Sequence, residues 1–268
     1  MPSSPLRSPG TAPDRVRRPA LPYEESDLDR YRDLQQLAYG AAERAAGQLR
    51  AGMRESDAAE RLRQELRAAG LGAFARRPAA RFGRRTAGAG TPGGLPGMGG
   101  RLLARLREPE RLRDGTPYLL DCVLTAGGRT VGVTLAGRLG GNPVWDVLRA
   151  DLPAYRDLVL REVRRGSPLH RLGRAVDALA ARHGYDNPDR GLLGGVIARS
   201  APARAGDLQR RTGPARPASY AHRLPPGLWA VSPRVAFRGV GVAFEELLVV
   251  TETSACWLDD DLPHARTP

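Results

Sequence analysis

Gly52 and Gly70 stand eighteen residues apart, and Gly166 and Gly184 repeat that spacing 114 residues further along the chain. The apolar positions around each pair recur as well: Tyr31, Leu34, Leu49 and Leu62 in the first set match Trp145, Leu148, Val163 and Val176 in the second. Matched helix breakers and matched apolar positions over roughly 40 residues are the mark of an internal duplication. A duplicated chain of this kind builds two similar halves, each running helix–turn–helix followed by strands.

Each half opens with a pair of helices. Ser26 is a candidate cap for a helix whose apolar residues Leu28, Tyr31, Leu34, Ala38, Ala41, Ala45 and Leu49 step by three and four, and Gly52 breaks it. Ser56 is a candidate cap for a second helix, with Ala59, Leu62, Leu66 and Ala69 on one face and Gly70 at its end. Residues 76–100 read as a Gly/Pro-rich loop. Pro117–Thr125 and Arg129–Leu135 then read as strands about the turn Ala126-Gly127-Gly128.

After Pro143 the helical period returns through Trp145, Leu148, Leu152, Tyr155, Val159 and Val163, and then through Leu169, Leu172, Val176, Leu179 and His183. Strands follow at Leu228–Ser232, Gly239–Thr251 and Ala255–Leu258. The expected organisation is a disordered Pro/Arg-rich tail over 1–22, one α+β domain over 23–262 with halves of about 23–142 and 143–262, and a short tail over 263–268.

Composition limits the partners. The formal net charge is +13, carried entirely by Arg: the chain has no Lys, and Ile197 is its one Ile, a bias that reads as GC-rich codon usage before it reads as function. Between Leu66 and Leu106 stand Arg67, Arg76, Arg77, Arg81, Arg84, Arg85, Arg101 and Arg105 with no Asp or Glu. Such a run can grip phosphate or carboxylate, although charge runs are usually solvent-facing. Phe74 and Phe82 are its only aromatics, so nucleic acid is not the expected partner. Cys122 and Cys256 make neither a disulfide framework nor a metal spacing. With no apolar run long enough for a membrane span and no hydrophobic leader, the expected location is cytoplasmic.

The segment Arg238-Gly239-Val240-Gly241-Val242-Ala243-Phe244-Glu245-Glu246-Leu247-Leu248-Val249-Val250-Thr251-Glu252-Thr253 joins a glycine-spaced run to a Glu, an apolar strand and Thr-Glu. It resembles the closing strand of the creatinase / aminopeptidase P / methionine aminopeptidase family, whose members share the pita-bread fold: two α+β halves with helices on one face of a curved antiparallel sheet. The resemblance runs from about Tyr31 to Leu258. It implies a cleft in which two Asp, one His and two Glu hold two divalent metals that share a hydroxide for attack on a peptide carbonyl.

Carried onto this chain, the resemblance implies Asp121 at the first Asp position, in Asp114-Gly115-Thr116-Pro117-Tyr118-Leu119-Leu120-Asp121, and Glu245 at the last Glu position. Gly132 falls at the second Asp, Gly195 at the His, and Ser232 at the first Glu, within Pro225-Pro226-Gly227-Leu228-Trp229-Ala230-Val231-Ser232-Pro233. Two ligands of five survive. A catalytic zinc wants about three protein ligands plus water, so no cofactor is expected here, although two divalent metals serve the parent family. Asp121 and Glu245 are read as vestigial ligands.

If both still face the cleft, an Arg between them would offset their repulsion, with Arg129 and Arg238 as candidates. Cys122 should point to the opposite face as a core thiol. His222 is the one histidine carried as a candidate acid/base group. The leading expectation is a catalytically degenerate, binding or scaffolding relative that takes a protein or a small anionic ligand, with a homodimer left open. The alternatives are a metal-independent creatinase-like hydrolase of a small C–N substrate and a divergent Xaa-Pro or methionine aminopeptidase. The length is that expected of a single domain, closer to methionine aminopeptidase, and the separate N-terminal domain of aminopeptidase P is not expected.

Overall fold

A computed structural model describes residues 25–88, 110–187 and 221–266, together with the backbone of residues 198–199. The first half runs α1 (Glu25–Gly47), α2 (Glu55–Ala68), β1 (Phe74–Phe82), β2 (Pro117–Ala126) and β3 (Arg129–Arg138). The second runs α3 (Pro143–Arg164), α4 (Leu169–His183), β4 (Ala198–Arg199), β5 (Gly227–Val231), β6 (Arg234–Phe237), β7 (Val240–Ala243), β8 (Glu246–Val250) and β9 (Ala255–Trp257). Each half is thus a helix pair followed by antiparallel strands. The sheets are β1–β2–β3, β4–β5–β8–β9 and the β6–β7 hairpin.

The helices sit where apolar spacing and breakers put them. Leu28, Tyr31, Leu34, Ala38, Ala41 and Ala45 are buried on α1, and Leu62 and Leu66 on α2. Neither serine is a cap: Ser26 lies inside α1, and at α2 Arg54 takes the place expected for Ser56, with the Asp57 carboxylate accepting from the Arg54 backbone N–H at 2.9 Å. On α3 the Asn142 side chain accepts from Trp145 N at 3.0 Å with Pro143 at the first helical position. Gly184, at φ +71°, closes α4 in the left-handed conformation. The β2–β3 hairpin turns on Gly127 and Gly128, at φ +54° and +75°, the two-residue loop whose twist matches its strands.

Two features depart from expectation. The stretch expected as loop from 76 is edge strand through Phe82, antiparallel to β2. Its Arg residues and Pro78 disguise it, yet charge and Pro are what edge strands carry. The expected Gly239–Thr251 strand is broken at Phe244 and Glu245, so β7 pairs with β6 while β8 joins the other sheet.

Two apolar cores match the two halves. One packs α1 and α2 on β1–β3, with Cys122, Leu120 and Leu124 pointing into it, and the other packs α3 and α4 on the later strands. The first core also takes Leu228, Leu247, Leu258 and Leu262 from the distant end of the chain. The segment from 258 to 266, placed partly in a tail by sequence, is packed: Leu262 and His264 are buried. Among the described residues no helix is long and apolar enough to cross a membrane.

Candidate functional site

The face of β1–β3 turned away from α1 and α2 carries the residues of interest. Register sets Arg76, Val123 and Gly132 in one row across three strands, and Ala79, Asp121 and Thr134 in the next. Between Arg76 and Ala79 the β1 register shifts, three steps on β1 matching two on β2. A bulge of this kind re-aims a side chain. Here it brings Arg76 onto the Asp121 face.

Arg76 Nη2 donates to Asp121 Oδ1 at 2.5 Å and lies 3.7 Å from Glu245 Oε2. Arg81 Nη2 approaches the other Asp121 oxygen, Oδ2, at 3.7 Å. The Asp121 side chain is 7% exposed and that of Glu245 13%, whereas Arg76 keeps 53% and Arg81 34%. The carboxylates therefore lie deeper than the guanidiniums that cover them.

Glu245 sits in the break between β7 and β8. Its backbone is fixed from α1: Tyr39 Oη donates to Glu245 O at 2.7 Å, and Gln35 Nε2 reaches both Gly132 O and Glu245 O, at 3.5 and 3.4 Å. The side chain turns back over Gly132. A Cβ on Gly132 would lie 1.6 Å from Glu245 Oε1 and 2.1 Å from Cδ. With the Glu245 side chain in this rotamer, glycine is the residue that fits at 132. Burial pushes the Glu245 carboxyl up to about 7; Arg76 opposes the rise, Asp121 adds to it, and a hydrogen bond from Thr134 opposes it again. Behind Asp121, burial first and then the Asp121 and Glu245 charges push the Cys122 thiol up to about 12, against Arg76. That suits the core thiol read from the sequence.

Ser232 follows β5, and Val231 pairs with Glu246. Extending the ladder by one residue sets the half-buried Ser232 against Glu245. Asp121, Gly132, Glu245 and Ser232 thus share one neighbourhood, while Gly195 lies outside the described residues.

The two arginines expected between the carboxylates are elsewhere. Arg129 pairs with Asp27 and lies over the Tyr31 ring at 5.8 Å. Arg238 is exposed, at φ +49° in the tight β6–β7 turn, with its guanidinium 5.1 Å from the Phe237 ring centroid. Arg76 and Arg81 hold the place instead. Sequence reasoning missed them because the bulge that turns Arg76 inward is defined only by pairing with β2. His222 is exposed, and its backbone carbonyl accepts from Leu169 N at 3.2 Å, at the start of α4. Neither a hydrogen bond nor an ion pair joins it to Asp121 or Glu245.

These side chains do not suit a pair of divalent ions. Among the described residues no group of three or more His, Cys, Asp or Glu side chains converges as a ligand set. A guanidinium bridges the carboxylates present, and one of them fills the volume a side chain at position 132 would need.

On the other side of the break, the fully buried Glu246 takes both Arg156 Nε, at 3.1 and 2.9 Å, and Arg156 Nη2, at 2.7 Å. His264 Nε2 meets Glu246 Oε2 at 2.9 Å, and the His264 ring stacks on Phe244 with centroids 4.4 Å apart. Burial holds that imidazole below its ordinary value, against the pull of Glu246. This cluster ties the closing segment to α3, and sequence reasoning passed over it because its members carry no motif.

The chain is similar in fold to several solved structures. X-Pro aminopeptidase from Thermotoga maritima MSB8 superposes with a TM-score of 0.66 at 17% identity, over 92% of this chain and 62% of that one. A recombinant prolidase from Thermococcus sibiricus gives 0.64 at 12%, over 89% and 60%. Proline aminopeptidase P II from Yersinia pestis gives 0.60 at 17%, over 90% and 57%. The chain thus spans about three fifths of the length of these neighbours, and its fold is the α+β pita-bread arrangement. No curated protein matches it. The family model for metallopeptidase family M24 matches residues 29–252, from α1 to the turn after β8. The chain therefore belongs to metallopeptidase family M24.

Proposed function

We propose that this chain is a metal-independent member of its family that has kept the pita-bread cleft and lost the dinuclear centre. On this reading it works by binding a protein or a small anionic ligand, not by hydrolysing peptides. One observation carries the reading: the Glu245 carboxylate occupies the space above Gly132 that a second Asp would need. The loss at 132 is therefore not a single missing ligand in an otherwise intact centre. The Glu245 carboxylate lies where that side chain would stand, and Arg76 bridges the two remaining carboxylates. Losing even a partner that only orients a ligand costs roughly 10–100-fold in affinity or activity, and here three ligand positions hold Gly132, Gly195 and Ser232.

The exposed His222, tied to the start of α4, lends no support to a metal-free hydrolase built on that residue. A cytoplasmic binding protein with an Arg-rich cleft rim fits the composition. The test is metal content as isolated, followed by calorimetric titration with Mn²⁺, Co²⁺ and Zn²⁺ and assays on Xaa-Pro and Met-initiated peptides. No metal and no turnover are expected. Two ions bound tightly, with cleavage of Xaa-Pro peptides like that of the X-Pro aminopeptidases it resembles, would sink the proposal.

A further inference from the structure

We infer that Arg76 is the resident cation of this cleft: its guanidinium supplies, from within the chain, the positive charge that holds Asp121 and Glu245 side by side. The inference rests on the metal-independent reading and adds to it a cause for the cleft's stability and a residue that can be changed. Two carboxylates facing one another in a half-buried site repel unless a positive charge lies between them. Arg76 Nη2 lies between them, 2.5 Å from Asp121 and 3.7 Å from Glu245, and Arg81 covers the outer Asp121 oxygen.

The placement is built into the fold. The β1 register shift aims Arg76 inward where unbroken alternation would aim Arg77, and Pro78 stands within the shifted stretch. A guanidinium is also a charge the protein cannot lose, since it stays protonated at any pH a folded chain meets. A divalent ion entering the cleft would meet that charge first and would have to displace it from Asp121.

The test uses the full chain and reads thermal unfolding at low ionic strength with and without Mn²⁺ or a chelator. Native protein is expected to ignore both additions. Arg76→Met should melt several degrees lower and recover part of that loss in millimolar Mn²⁺, because a small dication can sit on one or two carboxylates and water. Arg76→Lys should melt between the two, and Arg76→Met combined with Asp121→Asn should return close to the native midpoint without Mn²⁺.

Should Arg76→Met fail to fold while the double variant folds, the charge role stands. If Arg76→Met melts like native protein and ignores Mn²⁺, or if both variants fail alike, the resident-cation role is overturned while the metal-free reading survives. Stoichiometric Mn²⁺ binding by native protein would remove both.

Discussion

Glu245 is where the chemistry of this molecule is most exposed to a single measurement. Its carboxyl is pushed from an ordinary 4.5 up to about 7, first by burial. The folded state then holds this proton more tightly than the unfolded chain does. Stability from this group is complete below the unfolded value and is lost as pH rises through about 7. Replacing Glu245 with Gln removes the charge that burial disfavours and keeps the side chain's shape. The variant is expected to match native protein at pH 4 and to exceed it at pH 8 by on the order of 3 kcal/mol. Urea unfolding at the two pH values reads this directly, and an unchanged pH profile would show that Arg76 neutralises Glu245 completely.

Among the elements, β8 is the most heavily committed. All five of its residues are buried, and its first, Glu246, sits in the Arg156–His264 cluster. Removing Arg156 would leave the buried Glu246 with His264 as its remaining partner, and breaking a buried ion pair costs roughly 3–5 kcal/mol. Arg156→Met is expected to lower stability by about that much in chemical denaturation, with far-UV circular dichroism of the folded protein unchanged. The helices and the β2–β3 hairpin were legible in the sequence because apolar period and glycine breakers and turns are local signals, whereas Ser26 and Ser56, read as caps, lie inside their helices. β1 was not, because Arg76, Arg77, Pro78 and Arg81 read as solvated loop, and the bulge that turns Arg76 inward exists only in the pairing with β2. The break at Glu245 was hidden for a related reason: an unbroken β-branched run does not announce a change of partner strand. At the site, Asp121, Gly132, Ser232 and Glu245 were assembled by family resemblance, whereas the arginine between the carboxylates depends on register and was misassigned to Arg129 and Arg238.

The whole molecule is two similar halves fastened by segments that cross between them. Tyr39 and Gln35 on α1 grip the backbone of both β3 and Glu245. The closing segment crosses in the other direction: Arg32 Nε donates to Leu258 O at 2.9 Å, Leu262 enters the first core, and Arg149 Nη1 donates to His264 O at 3.1 Å. A chain ending at Trp257 would lose Leu258, Leu262 and His264 from its interior. It is expected to lose its cooperative melt, or to melt at least several degrees lower, by scanning calorimetry. A melt like that of the full chain would mean that the strap is ornamental.

That strap also sets an order of events. The core beneath α1 and α2 takes Leu258 and Leu262 from the far end of the sequence, so these two helices cannot complete their packing until β9 and the residues beyond it have been made. Until then the half that carries α1 and α2 exposes an unfinished apolar face, and it is at that stage, more than in the finished fold, that the chain is open to aggregation and to chaperones.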